Sequence, residues 1–407
     1  MHILTCSIWI TPLLVLRLAH AAAAEPLRSL DPKLHHLRSG SQAEWQEFAD
    51  KTPEGQRLEI TFAAQVNERE STLFIRQDDV KLDWRVQLNG RNLGTLFLME
   101  APLVHALAVP AQTLREGNNT LAILPPGAND DILVGDVKLD PRPLKEALNQ
   151  AHVDVEVSDI ENEKAVPCRV TIVDELGALA AINTLPDQSP ARRPGVVYTG
   201  NGKASVGLLP GTFTIYASRG FEYGVATQRV SVAAGQTPAV RLQIRHEVPT
   251  PGMISCDTHV HTFTHSRHGD ATMEERMLTV AGEGIDLPIA TDHDYLADYS
   301  EPSVKMNVAG HFTPVVGCEV TTAKGHFNVF PVTLGSRVPD FRITDWPGLM
   351  QSIRSTPGVR VVILNHPRNI HSNFQPFAAT NFNAITGENR RGFEFSFDAI
   401  EAVNSSA

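Results

Sequence analysis

Residues 254–270 read I-S-C-D-T-H-V-H-T-F-T-H-S-R-H-G-D, and residues 289–294 read I-A-T-D-H-D. If 254–261 is a strand, side chains two apart share a face, so Asp257, His259 and His261 point the same way. Neutral imidazoles at that spacing can grip one divalent cation, and His is the commonest metal ligand. A strand that merely shows His to solvent has the same local pattern, and a lone short motif decides little. Here the pair is followed by His265, His268 and Asp270, then by Asp292, His293 and Asp294. Glu319, His326 and His366 come later, each beside an expected strand.

Around these residues, helix and strand signals alternate. Thr272-x-x-Glu275 is a capping box before a helix to about Glu283, with Gly284 placed to end it. I-D-L-P-I-A from Ile285 is a buried-strand candidate with His293 just beyond it. Phe312 to Val316 is another, with Glu319 beyond. Asp345 can cap a helix to about Ser355. V-R-V-V-I-L from Val359 is a strand with His366 beyond, and Ala399 starts one more. This order implies a parallel sheet, open or closed, with polar residues gathered at the C-terminal strand ends, where barrel enzymes build their sites.

Upstream of the linker E-V-P-T-P-G from Glu247, the period is two rather than helical. Short alternating runs between 57 and 142, broken by Asn89-Gly90 and other turn signals, predict a β-sandwich or jelly roll. Six more runs between 143 and 248 predict a second sandwich, with a loop from Leu185 to Gly202. Residues 25–56 place Leu27, Leu30, Leu34 and Leu37 at helical spacing, and Ser41-x-x-Glu44 offers a cap for a second short helix. This predicts a helical leader segment without chemistry.

The 407 residues carry a formal net charge of −11, which argues against nucleic acid as a partner. An acidic balance does not exclude an anionic small substrate, because a metal dominates its local field. Residues 3–16 are apolar and small residues precede Glu25, which predicts a secretory signal peptide over 1–24 and a secreted or periplasmic protein. The run is too short to span a bilayer, so no membrane span is expected after cleavage. Cys168, Cys256 and Cys318 are too few for a disulfide scaffold. Strand parity turns the last two away from the ligands, as core thiols.

Three resemblances add to this reading. The line from Trp84 to Leu121 resembles the galactose-binding-like jelly rolls, which implies a carbohydrate partner or a spacer role. L-P-G-T-F-T-I from Leu209 resembles the turn of carboxypeptidase-regulatory-like sandwiches, which imply a prop for a catalytic domain. Most specifically, the ordered set D-x-H-x-H, T-D-H, G-x-E, H, N-H-P and E-x-x-N over 254–404 resembles the PHP (polymerase and histidinol phosphatase) metallohydrolases. G-C-E-V-T-T-A-K-G-H-F-N-V-F from Gly317 is similar to their carbaryl-hydrolase-like branch.

That resemblance implies a multidomain chain: two β-sandwich modules, then an incomplete α/β barrel of the (β/α)7 PHP type over 249–407. It implies two or three divalent ions, zinc, manganese or iron. His259 and His261 would bind one, Glu319 would bridge to a second held by His326 and His366, and His293 would serve a third with His268 or Asp270. Asp257 and Asp292 would orient imidazoles, and Arg368 would hold an anionic group on a small ester or phosphoester substrate. The family closes its site with an Asp-x-His pair that is not found before Ala407, so a fragment of a longer protein is expected. The alternative expectation is a non-catalytic carbohydrate-binding or scaffolding protein with a degenerate barrel.

Overall fold

The computed structural model describes residues 27–184, 191–367 and 374–402. The signal-peptide expectation and Arg368 therefore lie outside the described residues. The chain is mostly β, with several sheets and few helices. No described helix is long and apolar enough to cross a membrane.

The first module contains β1 (Arg28–Arg38), α1 (Gln46–Ala49), β2 (Leu58–Ala64), β3 (Ser71–Asp78), β4 (Arg85–Leu88), β5 (Arg91–Thr95), β6 (Leu103–Val109), β7 (Gly117–Leu124) and β8 (Asp131–Asp140). Two four-stranded antiparallel sheets, β1-β8-β3-β6 and β2-β7-β4-β5, share one apolar core that includes Trp84, Ile75 and Ile123. Asn89 and Gly90 take positive φ and close the β4–β5 hairpin, as Asn-Gly turns do.

The expected helical leader is instead strand β1, paired along its length with β8. Of the leucines that suggested a helix, only Leu37 is fully buried, while Leu27 and Leu34 are exposed. Pairing outweighed local spacing: His36 and Arg38 both bind the buried carboxylate of Asp131, at 2.6 and 2.7 Å. The strand bulges around Lys33, whose carbonyl rests against Gly135, where any Cβ would collide with it. Glu44 does not cap a helix. Its carboxylate accepts the N–H of Asp131, and α1 begins after Trp45 with no side-chain cap.

The second module starts with α2 (Leu144–Ala147) and holds β9 (Ala151–Asp159), β10 (Cys168–Asp174), β11 (Arg192–Arg193), β12 (Val196–Thr199), β13 (Lys203–Leu208), β14 (Gly211–Ser218), β15 (Ala226–Val232) and β16 (Ala239–Ile244). Sheets β11-β12-β10-β14-β15 and β13-β9-β16 enclose its core. The segment expected to loop as far as Gly202 therefore carries two short strands.

The third region runs β17 (Cys256–Val260), α3 (Phe263–Ser266), α4 (Met273–Gly282), β18 (Leu287–Ala290), α5 (Ser300–Lys305), β19 (Val315–Val316), β20 (Cys318–Thr322), β21 (Gly325–Phe330), α6 (Trp346–Ser355), β22 (Val361–Leu364) and β23 (Ala399–Ile400). The capping box at Thr272 and Glu275 is formed, and Asp345 caps α6 through the N–H of Gly348. Sheet β17-β18-β19 is parallel, as expected. Sheet β20-β21-β22-β23 is not: β21 runs antiparallel to both β20 and β22. Only Ala323 and Lys324 join β20 to β21, far too short a link for a parallel crossover. A parallel bridge between His293 and Glu319 connects the two sheets, so the described strands form adjoining sheets rather than a closed ring.

The second module supports this region through α4. Tyr198 donates to Glu283 at 2.6 Å, Arg219 donates to the carbonyl of Ala281 at 2.6 Å, and Arg193 grips Glu275 at 2.9 Å. Gly282 packs so tightly on Tyr198 and Cys168 that an added Cβ would lie 2.7 Å from the tyrosine ring.

Candidate metal centre

His259 lies on β17 and His261 just past its end, so strand parity brings both to one side. Their Nε2 atoms are 3.0 Å apart. Glu319 lies on β20, and Thr321, two residues on, shares its face. His326 pairs with Thr321 across the β20–β21 hairpin and joins the same face. His293 follows β18 at the bridge to Glu319, and His366 follows β22.

Five imidazoles thus converge on one carboxylate that is fully buried. Glu319 Oε2 lies 3.4 Å from His259 Nε2, 3.0 Å from His261 Nε2 and 3.1 Å from His293 Nδ1. Oε1 lies 3.2 Å from His326 Nδ1 and 3.3 Å from His366 Nε2, and accepts from Asn365 Nδ2 at 2.9 Å. Although nitrogens crowd around Oε2, none aligns as a hydrogen-bond donor to it. Lone pairs that face one another across such distances are the arrangement of ligands around a cation.

The spacing supports the same reading. A tetrahedral site with zinc–ligand bonds near 2.0–2.1 Å has ligand-to-ligand edges of about 3.3 Å. The triangle of His259, His261 and Glu319 has edges of 3.0, 3.0 and 3.4 Å. A second cation-sized group is formed by His293, Glu319 and His326. Nitrogen and carboxylate donors without thiolate suit zinc, iron or manganese.

Electrostatics bind the cluster together. Burial alone would push the Glu319 carboxyl up, but contacts with His259, His261, His326 and His366 hold it far below the usual carboxylate range. Burial also opposes charge on His259, but Glu319 and Glu401 outweigh it and raise its pKa to about 10. His293 goes the other way: burial, helped by His261, His326 and His268, lowers it to about 4 despite Glu319. A cation entering the cluster would compete with a proton for His259.

Neighbouring groups fix the ring orientations. Glu401 Oε1 accepts from His259 Nδ1 at 3.0 Å. Ser266 Oγ accepts from His261 Nδ1 at 3.2 Å and donates to Asp292 Oδ1 at 2.6 Å. Thr321 Oγ1 holds His293 Nδ1 at 2.8 Å. His366 has φ of 28°, a strained backbone of the kind that collects at functional sites.

Several expectations need correction. Asp270 is not at the cluster; it is exposed and pairs with Arg193 at 2.8 Å. The Gly269 turn carries it away, toward the second module. His268 is exposed at the rim, its ring 5.6 Å from that of His261 and 5.8 Å from that of His293. His293 groups with Glu319 and His326 rather than with either of these. Asp257 accepts the backbone N–H of His259 and not an imidazole proton. Asp292 acts on His261 only through Ser266. Cys318 is buried as expected, whereas Cys256, at the start of β17, is exposed. Asn365, Glu401, Ser266 and Thr321 were not singled out. The first two stand inside the N-H-P and E-x-x-N runs, so their motifs carried the signal. Ser266 and Thr321 had none.

No protein-family model matches the chain, and no curated protein is similar to it. Solved structures match only loosely. The group B streptococcus pilus 2b backbone protein is 11% identical over 47% of this chain and 93% of its own, with a TM-score of 0.19. The minor pilin GBS52 of Streptococcus agalactiae is 15% identical over 54% of this chain and 99% of its own, at 0.22. A β-glucuronidase of Faecalibacterium prausnitzii is 13% identical over 72% of this chain and 60% of its own, at 0.20. Likenesses this weak bear on neither the third region nor its chemistry.

Proposed function

We propose that this chain is an exported metal-dependent hydrolase of the PHP type, which cleaves a phosphoester or a carbamate or carboxylic ester. One observation carries the reading: a single buried carboxylate, Glu319, with five imidazole nitrogens from four separate chain segments 3.0–3.4 Å from its oxygens. His259, His261 and Glu319 would hold one divalent ion, and Glu319, His293, His326 and His366 a second. Bound there, such ions supply a water acidified to hydroxide near neutral pH and polarise the attacked P=O or C=O.

The chain's own residues do the positioning. Glu401, Ser266 and Thr321 engage the Nδ1 atoms of His259, His261 and His293. For His259 and His261 this turns Nε2 inward, and the Asn365 amide fixes the tilt of Glu319. No thiol competes for the role of nucleophile at the cluster, since burial pushes the Cys318 thiol well above its ordinary range. The apolar run at residues 3–16 supports export.

The test is elemental analysis of the purified full-length protein, followed by assays with nitrophenyl phosphate, nitrophenyl acetate and an aryl carbamate, with zinc or manganese added. Turnover of one class that is lost in His259→Ala is expected. Bound metal without turnover of any class would leave a binding role, and absence of bound metal would remove the proposal altogether.

A further inference from the structure

A cavity of about 280 Å3 lies where the first and second modules meet. Its walls include Phe97, His105, Leu144, Leu148, Ile182 and Arg192. Arg192 is only 8% exposed. Its Nη1 donates to Asn183 Oδ1 at 2.7 Å and its Nη2 to the carbonyl of Ser205 at 3.0 Å. Its Nε is buried without an acceptor. Among the described residues no carboxylate pairs with it, and its pKa is lowered by burial alone. The contrast with its neighbour is sharp: Arg193 pairs with both Asp270 and Glu275.

A buried cation without a counter-charge is costly, and a cavity beside it gives a counter-charge somewhere to sit. We propose that this cavity binds a small organic monocarboxylate with an apolar body, its carboxylate seated on Arg192. The site is independent of the metal centre. Arg193 also lines the cavity but is already paired with Asp270 and Glu275, so the Arg192 guanidinium balances one negative charge, whereas a phosphate dianion would leave charge buried and uncompensated. Aromatic and aliphatic walls suit an apolar body, and the volume is near the small end of ligand pockets, about 300 Å3.

The probes are benzoate, its neutral analogue benzyl alcohol and inorganic phosphate, titrated into the full-length protein by calorimetry and by thermal shift. Saturable benzoate binding is expected, with a Tm that climbs with concentration. Benzyl alcohol and phosphate should bind at least about tenfold more weakly. Arg192→Met should abolish the benzoate response. Ala106→Leu, which fills the cavity from the β6 side, should weaken it by at least about tenfold while leaving the circular dichroism spectrum unchanged. That second variant carries the test should Arg192→Met fail to fold. Absence of saturable benzoate binding, equal binding of benzyl alcohol, tighter binding of phosphate, or parent-like benzoate binding by Ala106→Leu would each overturn the proposal.

Discussion

Glu401 ties two imidazole-bearing segments together: one oxygen accepts Nδ1–H of His259 at 3.0 Å, and the other accepts the backbone N–H of His366 at 2.6 Å. Such a partner fixes a ring and raises its basicity without touching the ion, and losing one typically costs 10–100-fold in metal affinity. Glu401→Gln is therefore expected to keep the fold and to weaken zinc binding by about that factor, measured by chelator competition. Unaltered affinity would show that the contact is incidental.

Glu319→Gln removes the charge on which all five imidazoles converge. Breaking a buried ionic cluster by removing one member costs about 3–5 kcal/mol. The variant should melt earlier than its parent and hold neither ion in elemental analysis. Retention of the full metal content would exclude Glu319 as the shared ligand.

Gly282 brings α4 directly against Tyr198 and Cys168 of the second module. Gly282→Ala forces a Cβ against Tyr198 and the backbone of Cys168, an overpacking that costs about 1–3 kcal/mol. Calorimetry should show a lower first transition, with the third region melting apart from the sandwiches. Arg193→Ala should have a smaller effect in the same direction, because part of its pairing is solvent-exposed.

His105 gives a pH signature away from the candidate metal centre. Burial lowers its pKa to about 4, against a raising hydrogen bond to the Thr95 backbone, and Arg192 and Arg193 line the same cavity. Between the ordinary value near 6.5 and about 4, the unfolded chain binds a proton that the folded chain refuses. The His105 contribution to stability should fall as pH drops through that window and be level above it, beside a like contribution from His293. His105→Gln should make the fall shallower, as read from melting temperatures at pH 4.5 to 6.5. An identical slope in the variant would assign the acid sensitivity elsewhere.

The sequence was most legible where chemistry and local geometry agree. His-x-His on a strand, the Thr272 and Glu275 capping box and the Asn89-Gly90 hairpin depend on neighbours a few residues away. Long-range pairing was hidden. Leucines at helical spacing became β1 because β8, about a hundred residues on, offers Asp131 to His36 and Arg38. The run from Gly317 announces its ligands, but the tight β20–β21 turn within it, and with it the antiparallel order, follows from pairing across the hairpin. Asp270 looked like a ligand because it follows the His run, but its partner, Arg193, belongs to another module.

The link between His259 and Glu401 closes a loop of 142 residues. Contacts so distant along the chain form slowly, because closure entropy is lost before any reward returns. During synthesis both upstream sandwiches emerge whole before Glu401 is made, so the imidazole cluster takes its final shape after they do. On the proposed reading, a cation meeting the nascent chain before that contact forms would find a half-built set of donors.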